Sequence, residues 1–430
     1  VSETINIRDI SFDALKSENL LKRTGGDRYI WGIVLLLALT SLLVVYSATG
    51  SLAYKMYKGN TEVYLFKQFA FIVIGLVMVY FAHRVNYTIY SRVALYLFLA
   101  AIPLMIFTYF FGATINEGSR WIKLPVINMT FQTSDLAKLG LFMYISRQLS
   151  RKQEVIKDFH KGFLPVMIPV AIICGLILPA NLSTALLTGA TALLLMFIGR
   201  VSVKHIMLPV FIGGLLAGIL VLAAVLTYDG AKKQPGAKSK AVVEKMASFG
   251  RVGTWISRVQ DFMYADKAAD PYQVQQSKIA IANGGILMGL GPGNSTQRNF
   301  LPHPYSDFIY AIIIEEYGLL GGAFILFMYL IFLFRCIRIF RKCPYAFGAF
   351  LALALSFTLV IQALVNMAVV VNLVPVTGVT LPLVSMGGSS FFFTCISIGI
   401  ILSVARNVEQ LEGKSTAEIL MNSAPVSVSN

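Results

Sequence analysis

Ionisable residues are scarce in the apolar stretches of this 430-residue chain, and a charge inside such a stretch is costly enough to mark a candidate for chemistry. The first is Asp307, in Leu301-Pro302-His303-Pro304-Tyr305-Ser306-Asp307-Phe308, where a loop enters an apolar run. A carboxylate there can take a proton while staying within reach of water. It can equally cap the following helix, since Ser and Asp accept the free N–H groups of a first turn and stabilise it by roughly 1 kcal/mol. The residue alone leaves both readings open. Glu315 and Glu316 follow about two turns later, and adjacent helical positions point roughly 100° apart. One is therefore expected to face the protein interior and the other a polar neighbour, at least one of them as the structural partner of a basic residue elsewhere. Asp135 and Lys138, three positions apart, share a helix face and read either as site residues or as a structural ion pair.

Cations come next. Ser119-Arg120-Trp121-Ile122-Lys123 offers Arg and Lys to neutralise a phosphate or diphosphate, and a Trp to stack on a sugar ring or to anchor at the headgroup level. Pro375 to Ser390 is rich in Gly and Pro, including Gly378, Gly387 and Gly388, which suggests irregular backbone lining a cavity, or an ordinary turn. The chain has no Walker A motif, no GxGxxG in a strand-helix context and no HExxH. Gly289, Gly291 and Gly293 match a phosphate loop by count alone. Asn128-Met129-Thr130, Asn181-Leu182-Ser183 and Asn294-Ser295-Thr296 fit a glycosylation pattern short enough to arise by chance.

The elements that must position these residues are membrane helices. The chain is 57% apolar and 13% charged, against roughly 25% charged for soluble domains. The expected fold class is an all-α polytopic membrane protein of about ten helices with one long extracytoplasmic loop. The spacing predicts spans near 29–49, 63–82, 90–111, 131–147, 162–179, 182–199, 205–228, 307–335, 345–371 and 386–405. They form one domain, 29–406, between cytoplasmic tails 1–28 and 407–430. The first span follows a charged tail and is expected to be retained as a signal anchor. Basic residues before the first span (Lys22, Arg23, Arg28), after the fourth (Arg147, Arg151, Lys152, Lys157, Lys161) and after the eighth (Arg335, Arg338, Arg341, Lys342) place those ends in the cytoplasm. Parity then puts the loop at about 229–306 outside, together with Asp307. Within it Val243, Met246, Phe249, Val252, Trp255, Ile256, Val259 and Phe262 recur at helical spacing with Lys245, Arg251 and Arg258 between them, as in a helix lying in the interface or packed on the rest of the protein. Ser277 to Gly291 is too short to span and is expected to be re-entrant or partly buried. The net charge of +15 fits membrane orientation, and no soluble basic module points to nucleic acid. Cys174, Cys336, Cys343 and Cys395 have no metal-ligand spacing and read as unpaired.

Taken in order, these pieces resemble the SEDS family (shape, elongation, division and sporulation), which includes FtsW and RodA. The resemblance runs from the first span to the last. It rests on Arg120-Trp121-Ile122; Gln132-Thr133-Ser134-Asp135 with Lys138; Asn181-Leu182-Ser183-Thr184-Ala185; Tyr272-Gln273, Gln276-Ser277, Gly284-Gly285 and Gly289; Leu301-Pro302, Ser306-Asp307-Phe308 and Glu315-Glu316; and Asn366, Pro375, Gly378, Leu381-Pro382 and Ser385-Met386-Gly387-Gly388-Ser389-Ser390. The family usually has Pro at Thr133, Glu at Asp135, Thr at Ser306 and Tyr at Met386. The stretch Pro304 to Phe308 and the charged amino-terminal tail are more similar to the division branch than to the elongation branch.

The resemblance implies a peptidoglycan glycosyltransferase that polymerises lipid II on the outer face of the bacterial cytoplasmic membrane, at the division septum, with a class B penicillin-binding protein and other division proteins as partners. It assigns the essential carboxylate to Asp307. Substrate contacts are expected at Arg120, Trp121, Lys123, Lys138, Gln273, Gln276, Ser277, Arg298, Ser385, Gly387, Gly388 and Ser389, with Asp135, Glu315, Glu316 and Asn366 supporting them. Because lipid II is α-linked and the glycan β-linked, one inverting displacement is the economical route, with Asp307 as base on the acceptor hydroxyl. A divalent cation (Mg or Mn) held by Asp307 is the alternative. A flippase for lipid-linked precursor is the competing class, because charged spans and a Gly-rich cavity also suit transport; a non-catalytic division scaffold is a third reading.

Overall fold

The computed structural model describes residues 25–50, 52, 61–115, 118–124, 129–227, 252–264 and 272–423. Long apolar runs must satisfy their own backbone hydrogen bonds in lipid, and all ten expected spans coincide with helices. These are α1 (Arg28–Ala48), α2 (Glu62–Arg84), α3 (Tyr87–Phe111), α4 (Thr133–Arg151), α5 (Leu164–Ile177, entered through a π turn at Phe159–Phe163), α6 (Leu182–Ile198) and α7 (Val203–Leu226), followed by α10 (Ile309–Lys342), α11 (Ala346–Val370) and α12 (Gly388–Ser423). Two further helices, α8 (Val252–Met263) and α9 (Tyr272–Gly284), lie between α7 and α10. Eight of the ten are long and apolar enough to cross a membrane. The others are α6, at 17 residues, and α4, which carries Asp135, Lys138, Arg147 and Arg151. The protein is a polytopic helical membrane protein.

α11 and α12 form the centre. Of their most apolar eighteen-residue windows 67% and 72% are buried, against 6% for α7 at the periphery. α11 packs on α4, α6, α10 and α12, while α12 lies along α2. The α2–α12 crossing is close because glycines allow it: a Cβ on Gly399 would stand 2.6 Å from Ala82 Cβ. All four cysteines are free.

Three features depart from the sequence expectation. The segment after α3 is an antiparallel sheet of three strands, β1 (Ala113–Ile115), β2 (Gly118–Leu124) and β3 (Met129–Gln132), with Trp121 opposite Gln132. The fourth helix consequently begins at Thr133, two residues later than predicted, because Phe131 and Gln132 belong to β3. The last helix continues beyond Arg406 to Ser423. Of the amphipathic stretch 243–262, α8 covers the part from Val252 and packs on α7, where Gln260 Nε2 donates to Ala224 O at 2.9 Å. Val243, Lys245, Met246, Phe249 and Arg251 lie outside the described residues, as do Asn128 and the tail through Thr24.

The apolar segment after α9 runs back along α10 through its backbone, while its side chains Ile286, Leu287 and Met288 stay 73%, 67% and 86% exposed. α10 is broken at Gly318 (φ 71°, ψ −178°), and the backbone groups freed there are taken by residues 285–291. Leu290 N donates to Glu315 O and Gly291 N to Glu316 O, both at 2.9 Å, and Leu319 N donates to Gly285 O at 3.1 Å. A side chain at Gly289 (φ 58°) would collide with the Glu316 backbone. The glycine run is thus a backbone-to-backbone seam and not a phosphate loop.

Candidate functional site

One cavity of about 440 Å³ opens where four helices begin. Its lining includes Gln132 and Asp135 at the start of α4, Asn181 and Thr184 at the start of α6, Ser306 and Asp307 just before α10, and Gly387 to Ser390 at the start of α12. Helix amino ends present unbonded N–H groups and a partial positive charge, so four of them around one space favour an anionic ligand. Lys138 and Arg258 add full positive charges to the wall, and Trp121, His303 and Tyr305 add rings.

The backbone at Asp307 is held on two sides. Asn366 Nδ2 donates to Asp307 O at 2.8 Å and to Val379 O at 2.7 Å. Ser385 Oγ donates to Ser306 O at 2.7 Å and accepts from Leu381 N at 2.9 Å. Met386 N donates to Tyr305 O at 2.9 Å, tying the start of α12 to the same loop. The Asp307 carboxylate accepts from Ser306 Oγ at 2.9 Å and faces Gly378, whose missing Cβ would stand 3.5 Å from Oδ2. It does not cap the helix: Phe308 is the N-cap of α10, with no side-chain cap bond. Burial, and then the nearby Asp307 carboxylate, push the Tyr305 phenol above its ordinary pKa, so it remains a neutral hydrogen-bond donor at the site.

Asp135 and Lys138 form an ion pair of 2.7 Å, Asp135 being 5% exposed. Gln132 Nε2 adds a 3.4 Å contact to the same carboxylate oxygen. The pair lines the cavity, so its lysine stands between a structural partner and the open space. Glu315 and Glu316 are buried away from that space. Their direct donors are neutral: Glu315 accepts from Thr296 Oγ1 at 2.8 Å, Thr296 N at 3.2 Å and Ser295 Oγ, while Glu316 accepts from Ser47 Oγ, to which Arg298 Nη1 also donates at 3.4 Å, so that Arg298 is the basic residue near Glu316. These bonds fasten the 295–297 turn and the end of α1 to α10.

The structure brings together Asp307, Trp121, Asp135, Lys138, Gly387, Gly388 and Ser389. It places other candidates elsewhere. Ser385 and Asn366 lie behind the Asp307 loop, and Ser277 Oγ donates to Val370 O at 2.8 Å, joining α9 to α11. Arg298 Nη1 donates to Gly293 O at 2.8 Å near the end of α1, on the other flank of α10. Gln273 and Gln276 belong to α9, and Arg120 and Lys123 are positions of β2 whose side chains lie outside the described residues. Arg258, read from the sequence only as a polar spacer on an amphipathic helix, takes the place expected of Arg298. Its Nη1 donates to Val376 O at 3.1 Å. Among the described residues no three His, Cys, Asp or Glu side chains cluster to hold a metal. Among the described residues the lining carries two carboxylates, Asp307 and the Asp135 paired with Lys138, which is no all-protein cation cage; a magnesium ion shared with a diphosphate would need only one or two.

A family model described as "Cell cycle protein" (FtsW, RodA and SpoVE) matches residues 27–410. The chain belongs to this family. It is 32% identical over 394 residues to the "Probable peptidoglycan glycosyltransferase FtsW" of Geobacter metallireducens, covering 89% of this chain and 96% of that protein. It is 30% identical over 390 residues to "Stage V sporulation protein E" of Bacillus subtilis, covering 90% and 98%. Among solved structures, the fold is similar to a chain of a peptidoglycan synthase complex that coordinates polymerization and crosslinking (TM-score 0.64, 24% identity, 90% and 99% covered). It is also similar to the rod shape determining protein RodA of Thermus thermophilus (TM-score 0.59, 22% identity, 89% and 97% covered). The motifs that carried the FtsW/RodA/SpoVE resemblance divide accordingly into a cavity-lining set and a set that braces it. Asn181 belongs to both: its Oδ1 accepts from Thr184 N at 3.2 Å, which caps α6 at the cavity edge. The convergence of helix ends was invisible beforehand because no local pattern states which helices begin at the same place.

Proposed function

We propose that this protein is a peptidoglycan glycosyltransferase that polymerises lipid II on the outer face of the bacterial cytoplasmic membrane during septal wall synthesis. The observation that carries the reading is one carboxylate, Asp307, projecting into a cavity ringed by four helix amino ends and Lys138. Such a space suits a sugar diphosphate: the amino ends and Lys138 meet the diphosphate, and the carboxylate meets a hydroxyl. Asp307 takes the proton of the acceptor hydroxyl as its oxygen bonds to the donor's anomeric carbon. The bond from that carbon to the diphosphate breaks, and the electron pair leaves with the lipid diphosphate. One displacement inverts the α-linkage to β. A carboxylate in this role depends on positioning, which the Asn366 and Ser385 bonds supply. The relatives' names support the activity, and the membership of one structural relative in a peptidoglycan synthase complex supports a transpeptidase partner of the class B penicillin-binding type.

The test is the purified protein, with that partner, given labelled lipid II. Wild type is expected to make glycan strands and Asp307→Ala to lose about 10²- to 10⁴-fold in rate. Strands from Asp307→Ala at the wild-type rate would remove the catalytic assignment. Absence of strands from wild type, with lipid II crossing vesicle membranes, would favour a flippase. A chelator in the same assay separates base from metal ligand: retained activity supports the base.

A further inference from the structure

A second cavity of about 430 Å³ adjoins the first, lined mostly by residues outside the family motifs, Tyr272, Gln273 and Pro375 being the exceptions. Four of its lining residues, Thr254, Ser257, Arg258 and Asp261, fall at helical intervals on one face of α8, whose Ile256 is buried and whose Gln260 is bound to α7. Gln273 of α9 and Asn372 after α11 close the space, and Tyr272 and Phe262 contribute rings. Arg258 lines both cavities. The remaining partition is a short piece of loop: Pro375 and Val376 face the second cavity, Thr377 and Gly378 the first. Gly378 is the residue that borders the Asp307 carboxylate. The second space therefore begins about two residues of backbone away from the reacting position.

Both volumes fall within the roughly 300–1,000 Å³ of small-molecule sites, but their chemistry differs. The first has the helix amino ends and Lys138, suited to a diphosphate. Among the described residues the second carries Asp261 as well as Arg258 on one face of α8, with an amide from each of Gln273 and Asn372, hydroxyls from Thr254 and Ser257, and aromatic faces. An added carboxylate disfavours a diphosphate and accepts hydroxyl protons; amides and hydroxyls donate and accept in the directions a polyhydroxylated ring requires, and aromatic faces cover its apolar side. A polymerase that forms one bond at a time and keeps its product must also grip the chain beyond the reacting sugar. We infer that this second cavity binds uncharged sugar units of the elongating glycan next to the reacting one, with Arg258 and the Pro375 to Gly378 loop as the divider between the two sites. The inference rests on the polymerase reading above.

Two measurements test it. In the lipid II assay, Asp261→Asn with Ser257→Ala is expected to shorten strands about three- to tenfold, the effect of losing a few sugar hydrogen bonds, while first-bond formation stays within about twofold. Unchanged strand length, or a change seen only when the transpeptidase is present, would overturn the assignment, the latter making the cavity a partner surface. Separately, Thr254→Cys in the full chain is labelled with a maleimide, with and without a peptidoglycan-derived tetrasaccharide, and the labelled peptide is read by mass. Protection is expected, and labelling unaffected by saturating tetrasaccharide would sink the idea. The second measurement needs neither turnover nor the double variant's folding. If wild type makes no strands the polymerase reading fails, and protection alone still decides whether this cavity holds sugar.

Discussion

Asp307 is gripped by its backbone and presented by its side chain, and the two functions can be separated. Asn366 is 1% exposed, and its side-chain nitrogen serves the carbonyls of residues 307 and 379. Asn366→Ala leaves both buried carbonyls without that donor, at a cost of about 1–3 kcal/mol, and is expected to lower the melting temperature together with activity. Asp307→Asn keeps the shape and loses only the charge, so it is expected to abolish polymerisation while stability stays within about 0.5 kcal/mol. A melting loss equal to that of Asn366→Ala would make the carboxylate structural. The importance of Asp307 was legible from its place at the head of a span. Its freedom from capping was not, because the cap choice turns on one residue: Phe308 occupies the N-cap position and Asp307 falls outside the helix. Arg298 and Arg258 show the same limit in reverse. Both are arginines of one loop, and only the fold of that loop decides which reaches the cavity.

At the scale of elements, the break in α10 is the joint that seats the loop. Gly318 sits at positive φ, where a Cβ would also approach Leu287 C to 2.9 Å, and the seam it forms with residues 285–291 is held by main-chain bonds on both sides. Gly318→Ala is expected to destabilise the protein by about 1–3 kcal/mol and to raise hydrogen exchange first at residues 285–291 and 319–320, before the core of α11. Uniform loosening, or no change at the seam, would contradict this account. The glycines were visible in the sequence, and so was a segment too short to span. The pairing of Gly285 with Leu319, more than thirty positions along, is a long-range choice that leaves no local periodicity. The sheet β1 to β3 escaped notice for a related reason: strands of 3, 7 and 4 residues carry little period-two signal, and a polar run at a membrane edge reads equally well as a loop. The helices were legible almost completely, since twenty apolar residues have few other solutions.

For the whole molecule, the two ends of the bundle differ in kind. The cavity occupies the end where α4, α6, α10 and α12 begin; the opposite end collects Arg84, Arg147, Arg151, Arg338, Arg341 and Lys342. That basic end is also tied: Arg335 Nε donates to Asp27 Oδ2 at 2.8 Å, Gly26 N to Glu409 Oε2 at 2.6 Å, and Arg406 Nη2 to Arg84 O at 3.1 Å. Short basic segments favour the cytoplasm, so the arginines and lysines gathered at this end predict that the cavity faces outward, as the proposed polymerase requires. Cysteines placed at two exposed positions, Asn299 beside the cavity end and Arg341 at the basic end of α10, test the orientation directly. A membrane-impermeant thiol reagent is expected to label Asn299→Cys in intact cells whose outer envelope has been opened, and Arg341→Cys only after the cytoplasmic membrane is broken. Labelling of both from one side would overturn the crossing parity of α10, and the reverse pattern would turn the cavity to the cytoplasm. With the reverse pattern Asp307 would face a compartment with no growing wall, and the polymerase reading would fail at the scale of the membrane whatever the geometry at the carboxylate.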